Sequence, residues 1–427
     1  MSKNKITDIK GRMVFDSRGK PTIEAEVIVN NKISGIAIAP SGASKGYNEA
    51  IEKKDNKKHF YGEGVTENIK LINSIIRKAL IGQEIENQKK IDNILINLDG
   101  TENKSFLGGN TTIAVSMAVL RCASKSNKKP LWSYLNPKNK KLPIPEIQII
   151  GGGKHAKGSI PIQDFMVIPN GAPDFYTALE WVYRIYKIAG DKLFKDGKLL
   201  GVADEGGYWP NFRDIEETLT FLSKCIEEAG LEFFKEVSIS LDIAANNLKK
   251  EKGYILFKNN KPYSKKQFKK KLLQIINNYP IISIEDPFDE LDLDEYKEFK
   301  SEAPSYLQIV GDDLVVTNTK LIKMANNNDA INTVLIKPNQ IGTISETIKA
   351  INLSKKLKLF TIISARSGET EDSIISDLSV GWGIKQLKVG SMSRSERLSK
   401  WNQCLRIGEK LENNYVMHQP PSIWKSF

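Results

Sequence analysis

The chain has 427 residues, a formal net charge of +12, and 40% hydrophobic against 27% charged residues. That length holds two domains, one of them of barrel size, and the composition is that of a globular protein, which excludes a disordered or fibrous chain. Residues 1 to 10 carry no apolar signal core and no apolar run approaches bilayer length, so a cytoplasmic protein with no membrane partner is expected.

Taken in order, residues 5 to 39 read as three strands, with apolar positions alternating over 22 to 29 and 33 to 39 and Asn30-Asn31 supplying a tight turn. The loop at 40 to 46, Pro-Ser-Gly-Ala-Ser-Lys-Gly, is rich in small residues and hydroxyls. Such a loop either moves and brings backbone to a phosphate or metal, or is an ordinary connector. Helical patterns follow at 66 to 80, 84 to 97 and 111 to 126. The last is apolar nearly all round, which predicts a buried helix with Met117 as packing. The polar break at 138 to 141 divides the chain into an amino-terminal α+β domain, 1 to 137, and a barrel domain, 138 to 427.

Strands predicted at 144 to 150 and 160 to 168 have too short a link for a parallel crossover and must pair antiparallel. Helices are predicted at 172 to 195 and 213 to 229, flanking a turn with Asp204-Glu205-Gly206-Gly207. From there short apolar strands alternate with amphipathic helices, as βα units require. The strands end at polar tips: Asp242, Glu285, Asp312, Lys337, Arg366-Ser367 and Lys388. The second domain is therefore a barrel whose start departs from simple (β/α)8 order. Cys122, Cys225 and Cys404, each in a helical stretch, suggest neither disulfides nor zinc. The lysines are spread without a base-reading motif, so no nucleic-acid partner is expected. The densest run, 265 to 271, reads as a solvated helix face.

Asp242, Glu285 and Asp312 on successive strand tips suit an octahedral hard cation, since bare clustered carboxylates repel. Salt bridges to nearby lysines are the alternative. Lys337 beside a divalent ion and a second cation would have its pKa pushed down and act as a base. Arg366 with Ser367 suits a phosphate or carboxylate. Metal, lysine base and anion clamp describe proton abstraction beside a metal-bound carboxylate, a pattern general to the enolase superfamily.

The chain resembles enolase, phosphopyruvate hydratase, over essentially its whole length. The resemblance rests on DSRGKPTIEAEV at 16 to 27, PSGASKG at 40 to 46, LDGTENKSFLGGN at 98 to 110, GGKHA at 152 to 156 and DEGG at 204 to 207. It continues through SIEDPF at 283 to 288, GDDLVVTN at 311 to 318, KPNQIGT at 337 to 343, RSGETED at 366 to 372 and KVGSMSRSERL at 388 to 398. It implies an α+β domain capping a ββαα(βα)6 barrel, an α/β fold active as a homodimer or higher homo-oligomer on a small phosphorylated hydroxy acid. It assigns Asp242, Glu285 and Asp312 to a catalytic Mg²⁺ and Ser44 to a second. Lys337 becomes the base at C2 and Glu205 the acid assisting loss of the C3 hydroxyl. Lys388 would hold the substrate carboxylate, His155, Arg366 and Ser367 the phosphate end, with Gln163 among the metal-site neighbours and Asp164 on the leaving-group side.

The resemblance also marks departures. Asp164 stands where the family has Glu, Ala365 where it has His, and Gly151 where it has Asn; the acid expected shortly after Asp242 is missing from 244 to 247. Three readings follow: a working enolase, a paralogue dehydrating a related phosphorylated or phosphonate hydroxy acid, and a silent fold kept for binding.

Overall fold

The computed structural model describes residues 4–56, 58–158, 160–256, 261–411 and 415–426. Strands β1 (Ile6–Phe15), β2 (Pro21–Val29) and β3 (Ile33–Ile38) form an antiparallel meander. Ile23, Ala25, Val27 and Val29 alternate into its buried face, as the two-residue period of a strand dictates. Asn30 and Asn31 have φ of 51° and 55°, and this left-handed pair closes a tight turn in which the Lys32 N–H donates to the Val29 carbonyl at 3.1 Å. Helix Gly109–Ser126 covers this face and is buried along nearly its whole length, Met117 included. A Cβ on Gly35 would lie 2.3 Å from backbone atoms of Ala118 and Cys122, so glycine is what lets helix and strand approach. The expected helix over 66 to 80 is present, with a π turn at Ile72–Ile76 inside it.

The remaining strands are β4 (Ile144–Gly151), β5 (Asp164–Ile168), β6 (Leu199–Val202), β7 (Tyr208–Pro210), β8 (Ser238–Asp242), the small β9 (Lys249–Lys250) and β10 (Gly253–Tyr254), β11 (Ile281–Glu285), β12 (Gln308–Gly311), β13 (Thr333–Ile336), β14 (Phe360–Ser364) and β15 (Gln386–Gly390). Strands β4, β5, β8 and β11 to β15 close a barrel through pairing of β15 with β4. β5 runs antiparallel to β4 and β8, and the other neighbours in the ring are parallel. Helices Phe175–Lys195 and Ile215–Glu228 precede six βα units, which gives the ββαα(βα)6 order.

Three local features differ from the sequence reading. β5 begins at Asp164 and not at 160, because the Gly152 and Gly153 N–H groups turn back onto the Gln163 and Ile160 carbonyls. β6 and β7 form a hairpin docked on β4 through the Ile150–Tyr208 pairing, too short to show alternation in sequence. Lys269, expected on a solvated face, is buried and paired with Glu298 and Glu302, each at 2.7 Å.

The other end of the barrel is plugged by Trp424, packed on Ile144, Ile168 and Ile282. Nearby, the His418 N–H donates to the Leu142 carbonyl at 2.9 Å. Burial, with Lys141, Lys385 and Lys355 adding to it, pushes the His418 imidazole down to about 4. A depressed histidine pKa means folding favours the neutral ring. Its contribution is therefore intact above pH 6.5 and is lost as pH falls toward 4, on the order of 3 kcal/mol at most. Thermal melts should show the wild-type chain losing stability more steeply than His418→Gln between those pH values. Parallel curves would refute this.

Candidate active site

The carboxyl ends of the barrel strands converge on one polar face. Asp242 and Glu285 end β8 and β11 and are buried. Lys388 on β15 sits between them, its Nζ 2.9 Å from Asp242 Oδ2 and 2.8 Å from Glu285 Oε2. Asp312, just past β12, is ion-paired with Lys337 and accepts Gln340 Nε2 at 2.8 Å. Gln163 Nε2 donates to Asp242 Oδ2 at 3.1 Å. Burial and the neighbouring Asp242 hold Glu285 well above the usual carboxylate range.

The lysine expected to be lowered beside a divalent ion is here set beside an acid. Burial works against the Lys337 ammonium, yet Asp312 outweighs it and holds the pKa above its ordinary value. The same balance, with Asp242 and Glu285, raises Lys388 further. Two lysines here neutralise the acids that were read as metal ligands. The site nonetheless fits a divalent cation: the donors are all oxygen, and the buried Glu285 Oε1 has no hydrogen-bond partner. A cation there would take over the charge balance that Lys337 and Lys388 now supply.

Asp286 carries a role that the sequence reading missed. It has φ 41° and accepts the N–H groups of Asp312 and Asp313 at 3.0 and 2.7 Å, with the Tyr296 hydroxyl at 3.1 Å. Asp286 thus fixes the turn that aims Asp312. Burial and Asp312 push its carboxyl up to about 8.

Across the mouth lie His155, Asp164 and Glu205, whose ligand atoms fall within 4.8 Å of one another. His155 Nδ1 is 2.9 Å from Asp164 Oδ1, and its Nε2 is 3.8 Å from Glu205 Oε1. Burial alone would push the imidazole down, but Asp164 and Glu205 hold it at about 9. Against burial, His155 keeps Asp164 below its ordinary value. Burial raises Glu205, opposed by His155. One carboxyl is held ionised and its neighbour is favoured as an acid, the separation that general acid chemistry requires. Ala365 puts a methyl on this wall, and His155 is the imidazole beside Glu205.

On the third side, Arg366 uses all four terminal N–H groups. Nη1 bonds Glu49 Oε2 at 3.1 Å and Asn339 Oδ1 at 3.2 Å; Nη2 bonds Glu49 Oε1 and the Ser44 carbonyl, both at 3.1 Å. Ser367 Oγ accepts the Ala43 N–H at 2.7 Å. The small-residue loop is therefore folded over Arg366 and Ser367, and the Ser44 carbonyl is the one backbone acceptor among these partners. Glu49 was not found from sequence, nor was Arg397, a fully buried guanidinium bonded to the carbonyls of Arg366, Ser367 and Val389 at 2.6, 2.5 and 2.8 Å. The three sides meet at a small polar cavity of about 20 Å³ that His155, Glu205, Lys337, Arg366 and Lys388 all line.

Residues 6–135 match the family profile described as enolase, N-terminal domain, and residues 139–422 match enolase, C-terminal TIM barrel domain. The chain is also 44% identical over 424 residues to the protein named enolase from Ehrlichia canis (strain Jake), covering 98% of this chain and 99% of that protein.

Proposed function

The chain belongs to the enolase family, the phosphopyruvate hydratases that dehydrate 2-phosphoglycerate to phosphoenolpyruvate in glycolysis, and from that premise we propose how its residues divide the reaction. The observation that carries the reading is the convergence of two buried lysines, the three carboxylates they pair with and a buried arginine at the carboxyl end of the barrel.

Asp242, Glu285 and Asp312 would hold the Mg²⁺ ion, with Ser44 at a second. A cation held there would supply a Lewis acid for the substrate carboxylate and would relieve the lysines of neutralising the acids. Lys337 takes the C2 proton, which requires it neutral. Lys388 meets the substrate carboxylate, and Arg366 with Ser367 binds the phosphate end. Glu205, its acidity weakened by burial, donates a proton to the departing C3 hydroxyl. His155 holds Glu205 and Asp164 in register, and Gln163 keeps Asp242 oriented.

We further assign residues 1 to 137 to the capping domain and 138 to 427 to the catalytic barrel. A cytoplasmic homodimer fits the family. No helix among the described residues is long and apolar enough to cross a membrane. The deciding experiment is dehydration of 2-phosphoglycerate with Mg²⁺. Turnover that disappears on chelation and returns with the metal is expected. No turnover of 2-phosphoglycerate, with a phosphonate hydroxy acid dehydrated instead, would replace the substrate assignment.

A further inference from the structure

We propose that Gln148 is the positioning residue of the leaving-group side, one amide that sets both the rotation of the Asp164 carboxylate and the placement of the turn carrying Glu205. Gln148 projects from β4 and is fully buried. Its Nε2 donates to Asp164 Oδ1, and its Oε1 accepts the Gly207 N–H at 2.7 Å. The orientation of the amide is not arbitrary: a backbone N–H can only donate and an ionised carboxylate can only accept. The contact is also built closely, since a Cβ on Gly207 would lie 2.5 Å from Gln148 Oε1.

The consequence lies in what is left free. Gln148 and His155 Nδ1 both engage Asp164 Oδ1. Asp164 Oδ2 is buried without a hydrogen-bond partner and stands 3.9 Å from Lys388 Nζ. Two donors on one oxygen fix the carboxylate plane and present the other oxygen bare. At the amide's other end, Gly207 is two residues beyond Glu205 in the β6–β7 hairpin. The separation between the acid and the bare carboxylate oxygen is thus set through Gln148 together with His155, and Gln148 is the one that reaches the backbone of the Glu205 turn. Asp164 reaches one methylene less far than a glutamate, and Gln148 spans the remaining gap.

This inference rests on the dehydration reading above, and the test separates the two. Gln148→Leu keeps the side chain's bulk and removes both bonds. Gln148→Asn and Asp164→Glu each shift one methylene, and the double variant moves that methylene across the contact. With Mg²⁺ and 2-phosphoglycerate, Gln148→Leu is expected to lower kcat for dehydration on the order of a hundredfold, with KM held within about threefold and C2 proton exchange reduced less. Each methylene variant should lose activity alone, and the double should recover most of the loss, a coupling that general destabilisation does not produce. In metal-free protein without substrate, the His155 ring NMR signal, assigned with His59 and His418 variants, should move in Gln148→Leu and return toward wild type in the double. Unchanged dehydration and an unmoved His155 signal in Gln148→Leu would overturn the proposal. A double variant no better than the poorer single would do the same. If Gln148→Leu does not fold, the two methylene variants and their double decide alone. If wild-type protein fails to turn over 2-phosphoglycerate, the function reading falls while the His155 signal still decides the link.

Discussion

Lys337→Ala should abolish exchange of the substrate C2 proton with solvent deuterium, lowering it by about 10²–10⁴-fold, the range spanned by loss of a positioned general base. The argument is geometric first. Lys337 follows β13, is buried, and lines the same space as Arg366 and Glu205. Its charge in the metal-free protein is accounted for by Asp312, so whatever engages Asp312 releases it. The variant makes a second, opposite prediction. With its ammonium gone, Asp312 loses a competitor, so Mg²⁺ affinity measured by calorimetry should hold or rise while exchange vanishes. A variant that simply unfolds the site would lose both. Exchange at the wild-type rate would mean that another residue is the base.

Glu285→Gln and Asp312→Asn are expected to weaken Mg²⁺ binding by at least about the 10–100-fold seen when groups supporting a metal ligand are removed. Glu285 offers a buried oxygen with no partner, and an amide in its place keeps the size while discarding the charge that holds a hard cation. Asp312 is aimed by the backbone bonds that Asp286 accepts, and Asp312→Asn leaves those bonds in place. Circular dichroism should therefore be unchanged while the calorimetric signal collapses. Binding that survives both changes would remove these acids from the metal assignment.

The residues legible from sequence share one property: each lies at the end of a short apolar strand, where a period of two and a following acid or base announce it. Asp242, Glu285, Lys337 and Lys388 were placed on the strands that way, and with them a barrel whose start departs from simple (β/α)8 order; the full ββαα(βα)6 order came only from the resemblance. The residues missed act on something far along the chain. Asp286 sits next to Glu285 yet works by accepting N–H groups from residues 26 and 27 positions later. Gln148 is a lone amide in an apolar strand, a signal that was present but ambiguous. Arg397 belongs to a helix that shows ordinary polar spacing, and nothing local reveals that its guanidinium gathers three carbonyls. The lysine pKa depends on which charges are present: the sequence reading was for a site holding a divalent ion, and with the acids alone the shift is upward.

The Glu49–Arg366 pair joins positions 317 residues apart. A guanidinium buried so deeply without its carboxylate is costly, so a barrel that has closed on its own still lacks a stable clamp. Contacts of such sequence separation form late, because the intervening chain must be ordered first. During renaturation, helical and strand signals should therefore recover before catalytic competence does. The interval between them measures docking of the segment around Glu49 onto a preformed barrel. In a cell, the same interval is when the half-assembled protein exposes an unpaired buried cation and most needs protection from misassociation.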